Sequence, residues 1–97
     1  MKFKDLAGFD WNKANKQKNL VKHKVHYKEC EEAFINKPAP VYPDPNHSKT
    51  EKRYFILSQT KQGRKLFISF TLRKNKIRVI SARPMSQKER KVYVKKI

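Results

Sequence analysis

The chain has 97 residues, enough for one domain with a modest core, and its 25 Lys and Arg against 8 Asp and Glu give a formal net charge of +17. So large a positive charge repels itself unless an acidic partner neutralises it. We therefore expect nucleic acid as the partner, with an anionic membrane surface or an acidic protein as the alternatives. The single cysteine, Cys30, excludes an internal disulfide and suits the cytoplasm, and no apolar run is long enough for a membrane span or a signal peptide. We predict one cytoplasmic domain over residues 1–97, with residues 1–7 as a loose lead-in.

The N-terminal half of the sequence predicts two short helices. A weak apolar stripe among lysines indicates a cationic amphipathic helix over residues 12–23, and apolar residues at helical spacing indicate a second helix over residues 27–35. Residues 36–45 contain four of the five prolines. That composition predicts a loop or an irregular edge strand around Val41 and Tyr42.

The C-terminal half predicts three strands and a last helix. Residues 53–60, 65–72 and 76–83 are rich in β-branched and aromatic residues and are separated by short polar turns, which is typical of a meander of hairpins. Residues 86–97 read as a closing helix. The sequence thus predicts an α+β domain in which two N-terminal helices and a C-terminal helix pack on an antiparallel meander sheet. We expect the helices to cover one face and leave the other open.

The segment at residues 77–83 is central to this prediction. Its residues alternate with a period of two, which places Arg78 and Arg83 on opposite faces of the strand. Ser86 and Glu89 form a Ser-x-x-Glu capping box, so the strand ends near Arg83 and a helix begins just after it. A guanidinium beside a helix N-terminus favours a bound phosphate.

Short motifs throughout the chain carry a family resemblance. They are Phe9-Asp10-Trp11-Asn12, Asn19-Leu20-x-Lys22-His23, Glu32-Ala33, Asp44-Pro45-x-His47-Ser48, Glu51-x-Arg53, Gly63-Arg64, Phe70-Thr71 and Ile77-Arg78-x-Ile80-Ser81-Ala82-Arg83. In order and approximate spacing, from residue 9 to about residue 93, the chain resembles the BrnT family of bacterial toxins. The resemblance implies a RelE-like ribonuclease fold, an RNA-cleaving activity that blocks translation, and neutralisation by a co-encoded BrnA-type antitoxin whose DNA-binding domain represses the operon.

The expected function is therefore that of a type II toxin, a metal-independent endoribonuclease acting on mRNA, on or off the ribosome. It would contact DNA only through the antitoxin complex and would not bind a membrane. The alternative from the same basic composition is a non-catalytic RNA-binding or ribosome-binding module. A DNA-binding regulator is disfavoured because the sequence shows no helix-turn-helix spacing.

Cleavage of RNA without a metal needs positive charge where the phosphate becomes more negative in the transition state. Arg83 and Arg64 are the leading candidates for that task, since one ends a strand, the other follows a turn glycine, and both match family positions. The structural alternative is that each only pairs with an acidic residue such as Glu51 or Glu89.

Two further residues are candidates for proton transfer. Glu51 could act as a base or could hold Arg53 and Arg64 in place, and the second role is the safer prediction. His47 could shuttle a proton, because an imidazole has an ordinary pKa of about 6.5. Residues 44–47 are also what an ordinary turn looks like.

Other cations are predicted to bind RNA without sequence preference. The predicted RNA-binding residues are Arg53, Arg73, Lys74, Lys76, Arg78, Lys88, Arg90 and Tyr93. For Tyr93, packing against the sheet is the stronger expectation. We expect no cofactor and no metal, because His23, His26, His47, Cys30 and Asp44 show no close-spaced ligand pattern.

The chain departs from the family pattern at three positions. Lys24 stands where Gly is usual and His26 where Ser is usual, which we expect to remove a favourable helix stop and a favourable helix N-cap. Pro84 replaces a second basic residue, so one phosphate contact is expected to be missing here.

Overall fold

Three helices and a four-stranded sheet make up the fold, which a computed structural model describes for residues 8–36, 39–47 and 50–96. The elements are α1 (Lys13–His23), α2 (Tyr27–Ile35), β1 (Val41–Pro43), a short 3-10 helix (Pro45–His47), β2 (Arg53–Gln59), β3 (Lys65–Arg73), β4 (Lys76–Pro84) and α3 (Gln87–Lys96). The strands pair antiparallel in the order β1-β2-β3-β4. The predicted α+β meander is confirmed.

The main core lies between the sheet and the first two helices. Ile68, Phe70 and Val79 project from the sheet and are almost fully buried, and Phe34 of α2 packs edge-on against Phe70 with ring centroids 5.0 Å apart. Helix α1 packs mainly on β4 and α2 on β2. Helices α1 and α2 therefore cover most of this face of the sheet.

Helix α3 packs on the opposite face of the sheet. Its buried residue, Tyr93, forms a second small cluster with Leu57 of β2 and Met85 of the β4–α3 link. The expectation that all three helices share one face is wrong. A single buried ring among ten mostly polar residues gives too weak a periodicity to indicate which face a helix covers.

A β-bulge interrupts the pairing of β3 with β4. Ser69 lies opposite Ser81 and Phe70 lies opposite Val79, which leaves Ile80 as an extra residue on β4. An extra residue shifts the alternation of side chains by one position on the far side of the bulge.

The bulge places two arginines on the same face. Arg78 lies opposite Thr71 before the bulge, and Arg83 lies opposite Phe67 after it. Thr71 and Phe67 are four residues apart on a regular strand and so share one face, and residues directly opposite on paired strands also share a face. The prediction that Arg78 and Arg83 face opposite ways is wrong, because it assumed an unbroken alternation along the strand.

The link between α1 and α2 keeps both helix caps. Lys24 takes the left-handed conformation (φ 55°, ψ 38°) and its N–H donates to the carbonyl of Leu20 at 3.0 Å. At the start of α2, His26 Nδ1 accepts from the Lys28 N–H at 3.2 Å, and the His26 N–H donates to Glu29 Oε1 at 3.0 Å. The expected loss of the helix stop and the N-cap is therefore wrong, although the stop is made by a residue that disfavours this backbone geometry.

Replacing Lys24 by Gly is expected to raise the free energy of unfolding by about 0.5–1 kcal/mol. Gly adopts a positive φ without steric cost, and its greater freedom in the unfolded chain offsets only part of that gain. Urea unfolding followed by circular dichroism measures the change. The matched control Lys22→Gly, in the last turn of α1, should lower the same quantity by about 1 kcal/mol. A Lys24→Gly protein less stable than wild type would contradict the expectation.

Candidate nucleic-acid interface

The sheet face opposite α1 and α2, here called the open face, carries three rows of side chains in register across β2, β3 and β4. The rows are Arg53, Thr71 and Arg78; Phe55, Ser69 and Ser81; and Leu57, Phe67 and Arg83. Cations thus stand at one end, hydroxyls in the middle, and apolar groups with a further arginine at the other end, where α3 packs.

Glu51 stands at the centre of the cationic end. Its carboxylate makes a bidentate pair with Arg73, with Oε1 3.1 Å from Nη2 and Oε2 3.2 Å from Nε. Hydrogen bonds from Arg73 are the main cause that holds the pKa of Glu51 below its ordinary value, and the positive charges of Arg53 and Arg78 add to the effect. Glu51 is therefore ionised near neutral pH. It orients Arg73, where the sequence had suggested Arg53 and Arg64.

Two arginines flank Thr71 in the first row. Arg53 and Arg78 stand on the strands either side of β3, so their backbones are roughly 10 Å apart. Asp10 pairs with Arg78 at 3.4 Å. Guanidinium groups on long side chains at this spacing can converge on one phosphate above Thr71.

A cleft of about 300 Å³ lies at this end of the sheet and runs around the edge of β4 to α1. Polar residues from both elements line it, namely Asn12, Asn15, Lys18, Glu51, Arg53, Arg73 and Arg78. Only Glu51 among these carries a negative charge. The cleft therefore suits an anion such as a phosphodiester.

The β3–β4 turn extends the same cationic region. Lys74 and Asn75 both take positive φ, as a tight hairpin turn requires, and Lys74 and Lys76 are exposed. Together with Asp10 and Arg73 they line an open cleft of about 360 Å³. The predicted residues Arg53, Arg73, Lys74, Lys76 and Arg78 thus lie in one continuous region.

Arg83 lies at the other end of the open face. Its Nη1 and Nη2 atoms each contact the Glu89 carboxylate at 2.8 Å, and Nη1 also donates to the carbonyl of Pro84 at 3.2 Å. The guanidinium stacks 4.2 Å from the ring centre of Phe67, and 35% of the side chain is exposed. Three of its five N–H groups are occupied by described contacts, so an anion could still bind the others.

The predicted capping box is present, because Ser86 N–H donates to Glu89 Oε1 at 2.9 Å and Glu89 N–H to Ser86 Oγ at 3.2 Å.

Arg64 lies on the other side of the sheet. Its guanidinium donates to the carbonyl oxygens of Lys24 (2.8 Å) and His23 (3.2 Å) and to both oxygens of Glu29 (3.0 and 3.1 Å). These contacts clamp the α1–α2 link onto the β2–β3 turn. The structure does not bring Arg64 together with Arg83 or Glu51, and its geometry is that of a positioning residue.

The remaining predicted site residues differ in accessibility. Lys88 and Arg90 are exposed on α3. Tyr93 is 1% exposed, so its ring packs against the sheet and is not presented to RNA. The side chain of His47 lies outside the part of the chain that the structure describes, and its role stays a prediction.

Sequence reasoning missed part of this surface. The residues it missed are Phe55, Ser69, Ser81 and, from α1, Lys18. Phe67 also belongs to this surface and lies partly exposed beneath Arg83. One of the missed residues could have been found from the sequence. Phe55 follows Arg53 by two residues on β2, and residues at that spacing on a strand share a face.

Within the described ranges, no three His, Cys, Asp or Glu side chains come together as they would around a metal ion. No helix in those ranges is long and apolar enough to cross a bilayer.

The fold and the open face define a small basic α+β protein with a cationic face whose charge suits a polyanion. A family model described as "Ribonuclease toxin, BrnT, of type II toxin-antitoxin system" matches residues 11–89, and the chain belongs to this family. The resemblance noted from the motifs is confirmed. Membership implies an RNA substrate and an antitoxin partner.

A solved structure supports the same fold. The chain is similar to the 1.1 Å crystal structure of the Brucella abortus ribonuclease toxin BrnT, with 22% identity and a TM-score of 0.62 over 82% of this chain and 97% of that one. At this identity the likeness establishes the fold alone. No curated protein sequence matches the chain significantly.

The Arg83–Glu89 pair predicts a pH-dependent contribution to stability. Hydrogen bonds from Arg83 are the main cause that lowers the pKa of Glu89 from the reference value of 4.5. A lowered pKa stabilises the fold fully above the unfolded value, and the stabilisation is lost as the pH falls through the folded value. We expect Glu89→Gln to lower the free energy of unfolding by about 1–2 kcal/mol at pH 7.

Urea unfolding of both proteins from pH 7 down through the acid range tests this. The difference between wild type and Glu89→Gln should shrink towards zero well below pH 4.5. A difference that does not change with pH would show that Glu89 acts through packing and not through its charge.

Removing one open-face arginine should weaken RNA binding in a salt-dependent way. In Arg78→Gln, the slope of log K against log [salt] for single-stranded RNA should become shallower by about 0.7, because one phosphate contact is lost. Affinity would fall for all sequences alike. The control Lys61→Gln removes one charge from the β2–β3 turn, where the Lys61 backbone N–H donates to Glu32 of α2, and its slope should equal that of wild type. Equal slopes for all three proteins would rule out Arg78 as a phosphate contact.

Proposed function

We propose that this protein is a metal-independent endoribonuclease toxin that cleaves mRNA and so blocks translation. The observation that carries the proposal is the group of Arg53, Arg73 and Arg78 around the ionised Glu51 on the open face. Family membership supplies the ribonuclease class. The guanidinium groups offer the positive charge that a bound metal ion provides in other nucleases.

In the proposed reaction, the RNA backbone lies along the open face. Arg53 and Arg78 grip the scissile phosphate from either side of Thr71, and Arg73, held by Glu51, stabilises its charge in the transition state. Arg83 stabilises a phosphate at the other end of the face. Glu51 is a positioning residue in this scheme, because a carboxylate whose pKa lies well below neutral is a weak base.

Proton transfer is assigned to His47 in this proposal. An imidazole base can take the proton from the 2′-hydroxyl, whose oxygen then attacks the phosphorus and expels the 5′-oxygen, and the resulting imidazolium or a water molecule gives a proton to that 5′-oxygen. The products would be a 2′,3′-cyclic phosphate and a 5′-hydroxyl end. The same chemistry predicts that a 2′-deoxy residue at the scissile position binds but is not cut.

The net charge of +17 supports an acidic neutralising partner. We propose that this partner is a BrnA-type antitoxin encoded beside the toxin gene, that DNA is contacted only through their complex, and that the toxin acts in the cytoplasm. A small repressor-like reading frame beside the gene would support this, and a solitary gene would count against it.

Incubating the purified protein with a defined RNA and excess EDTA tests the activity. We expect internal cleavage, reduced about 100-fold to 1,000-fold in Arg78→Gln or Arg73→Gln and unchanged in Lys61→Gln, with circular dichroism confirming that each variant is folded. Tight binding without cleavage would leave the non-catalytic RNA-binding module. Cleavage that EDTA abolishes would reject metal independence.

A further inference from the structure

An apolar groove of about 230 Å³ lies between α3 and the open face, beside Arg83 and away from the Glu51 cluster. Apolar side chains line its walls and two charged ones its rim, in the set Tyr42, Phe55, Leu57, Phe67, Val92, Lys88 and Glu89. Val92 is 41% exposed at the groove although it is a large apolar residue. The proposed cleavage step does not use this groove.

The aromatic wall of the groove is a stack that crosses all four strands. The rings of Tyr42 and Phe55 are 5.0 Å apart, those of Phe55 and Phe67 are also 5.0 Å apart, and the Arg83 guanidinium closes the row 4.2 Å above Phe67. Phe55 and Phe67 each have a stacking partner on both faces of the ring. These two rings are therefore held in place, and only their edges are left to face the groove. Aromatic edges carry partial positive charge and favour the electron-rich face or the carbonyl oxygens of another ring system.

The groove and the cationic cluster belong to one track on the open face. Thr71, between the cluster's arginines, and Phe67, in the groove, are four residues apart on β3, or roughly 13 Å. Ser69 and Ser81 lie between them and present hydroxyls at mid-track. A few nucleotides of single-stranded RNA would span this track, with phosphates at the arginines. At the groove itself, Glu89 pairs with Arg83, and Lys88 leaves one net positive charge.

We propose that the groove is a subsite for one nucleobase of single-stranded RNA, a few nucleotides from the scissile phosphate. The inference rests on the proposed function, since it takes RNA to lie along the open face. The volume favours a single flat ring, because it is below the roughly 300–1,000 Å³ of sites for larger ligands. Charge complementarity favours a polyanion over an apolar protein segment, because cations stand at the groove and along the track that leads from it.

The test fills the groove without removing a core residue. Val92→Trp narrows the groove, and Val94→Trp, on a part of α3 that lines a different cleft, is the matched control. Each protein is titrated with a non-cleavable 2′-O-methyl oligonucleotide and with versions that carry one abasic residue at each position in turn.

For wild type and Val94→Trp, we expect one abasic position to weaken binding about 5-fold to 100-fold. Val92→Trp should bind the intact oligonucleotide more weakly than wild type by the same factor. An abasic residue at that position should not weaken its binding further, because the two changes remove the same interaction. An abasic penalty that persists in Val92→Trp would overturn the proposal. So would unchanged RNA binding combined with loss of neutralisation by the antitoxin, because the groove would then bind a protein side chain.

Cleavage by the wild-type protein in EDTA, measured on ordinary RNA, reports on the proposed function separately. Cleavage without any abasic penalty would remove the base subsite and leave the nuclease standing. An abasic penalty without cleavage would reject the nuclease and leave the base subsite as part of an RNA-binding protein.

Discussion

The extra residue at Ile80 determines which side chains the sheet offers to a ligand. By shifting the alternation of β4, it turns both Arg78 and Arg83 to the open face. Without the shift, one of the two would point into the core beneath α1. The bulge also needs partners for its backbone, and α1 provides them, since Lys18 Nζ donates to the Ile80 carbonyl at 3.3 Å and Asn19 Oδ1 accepts from the Ala82 N–H at 3.0 Å. Helix α1 thus stabilises the feature that creates the cationic face.

The few acidic residues of this chain position cations more than they neutralise the chain. Four of them each hold one arginine in an ion pair. These pairs are Arg64–Glu29, Arg73–Glu51, Arg78–Asp10 and Arg83–Glu89. A carboxylate that binds one edge of a guanidinium fixes its plane and leaves other N–H groups for a phosphate. Since the 25 Lys and Arg greatly outnumber the 8 Asp and Glu, the chain stays strongly positive while these four arginines keep a defined direction. This matters for catalysis, because a donor fixed in advance does not need to reorganise during the reaction.

Local signals in the sequence were sufficient to locate the helices and strands. They were insufficient to predict which face of the sheet each helix and each arginine occupies. Strand composition, the prolines of residues 36–45 and the Ser86–Glu89 capping box located the elements to within a few residues. The bulge at Ile80 escaped prediction because one inserted residue leaves composition and periodicity almost unchanged. His26 was misjudged because capping ability was read from residue type, whereas an imidazole nitrogen in the right place accepts the same hydrogen bond. The pairing of Arg64 across the fold depends on long-range geometry that no local pattern encodes.

The outer edge of the sheet at β4 is already occupied by the chain itself. The segment before α1 forms a parallel bridge there, with Asp10 N–H donating to the Ile77 carbonyl and Ile77 N–H to the Gly8 carbonyl, both at 2.8 Å. The α1 contacts at Ile80 and Ala82 continue this cover along the strand. A neighbouring molecule therefore finds few unpaired backbone groups on β4 to join, and like charge keeps such molecules apart. Edge-to-edge pairing of two copies through β4 is therefore disfavoured, even where no acidic partner neutralises their charge.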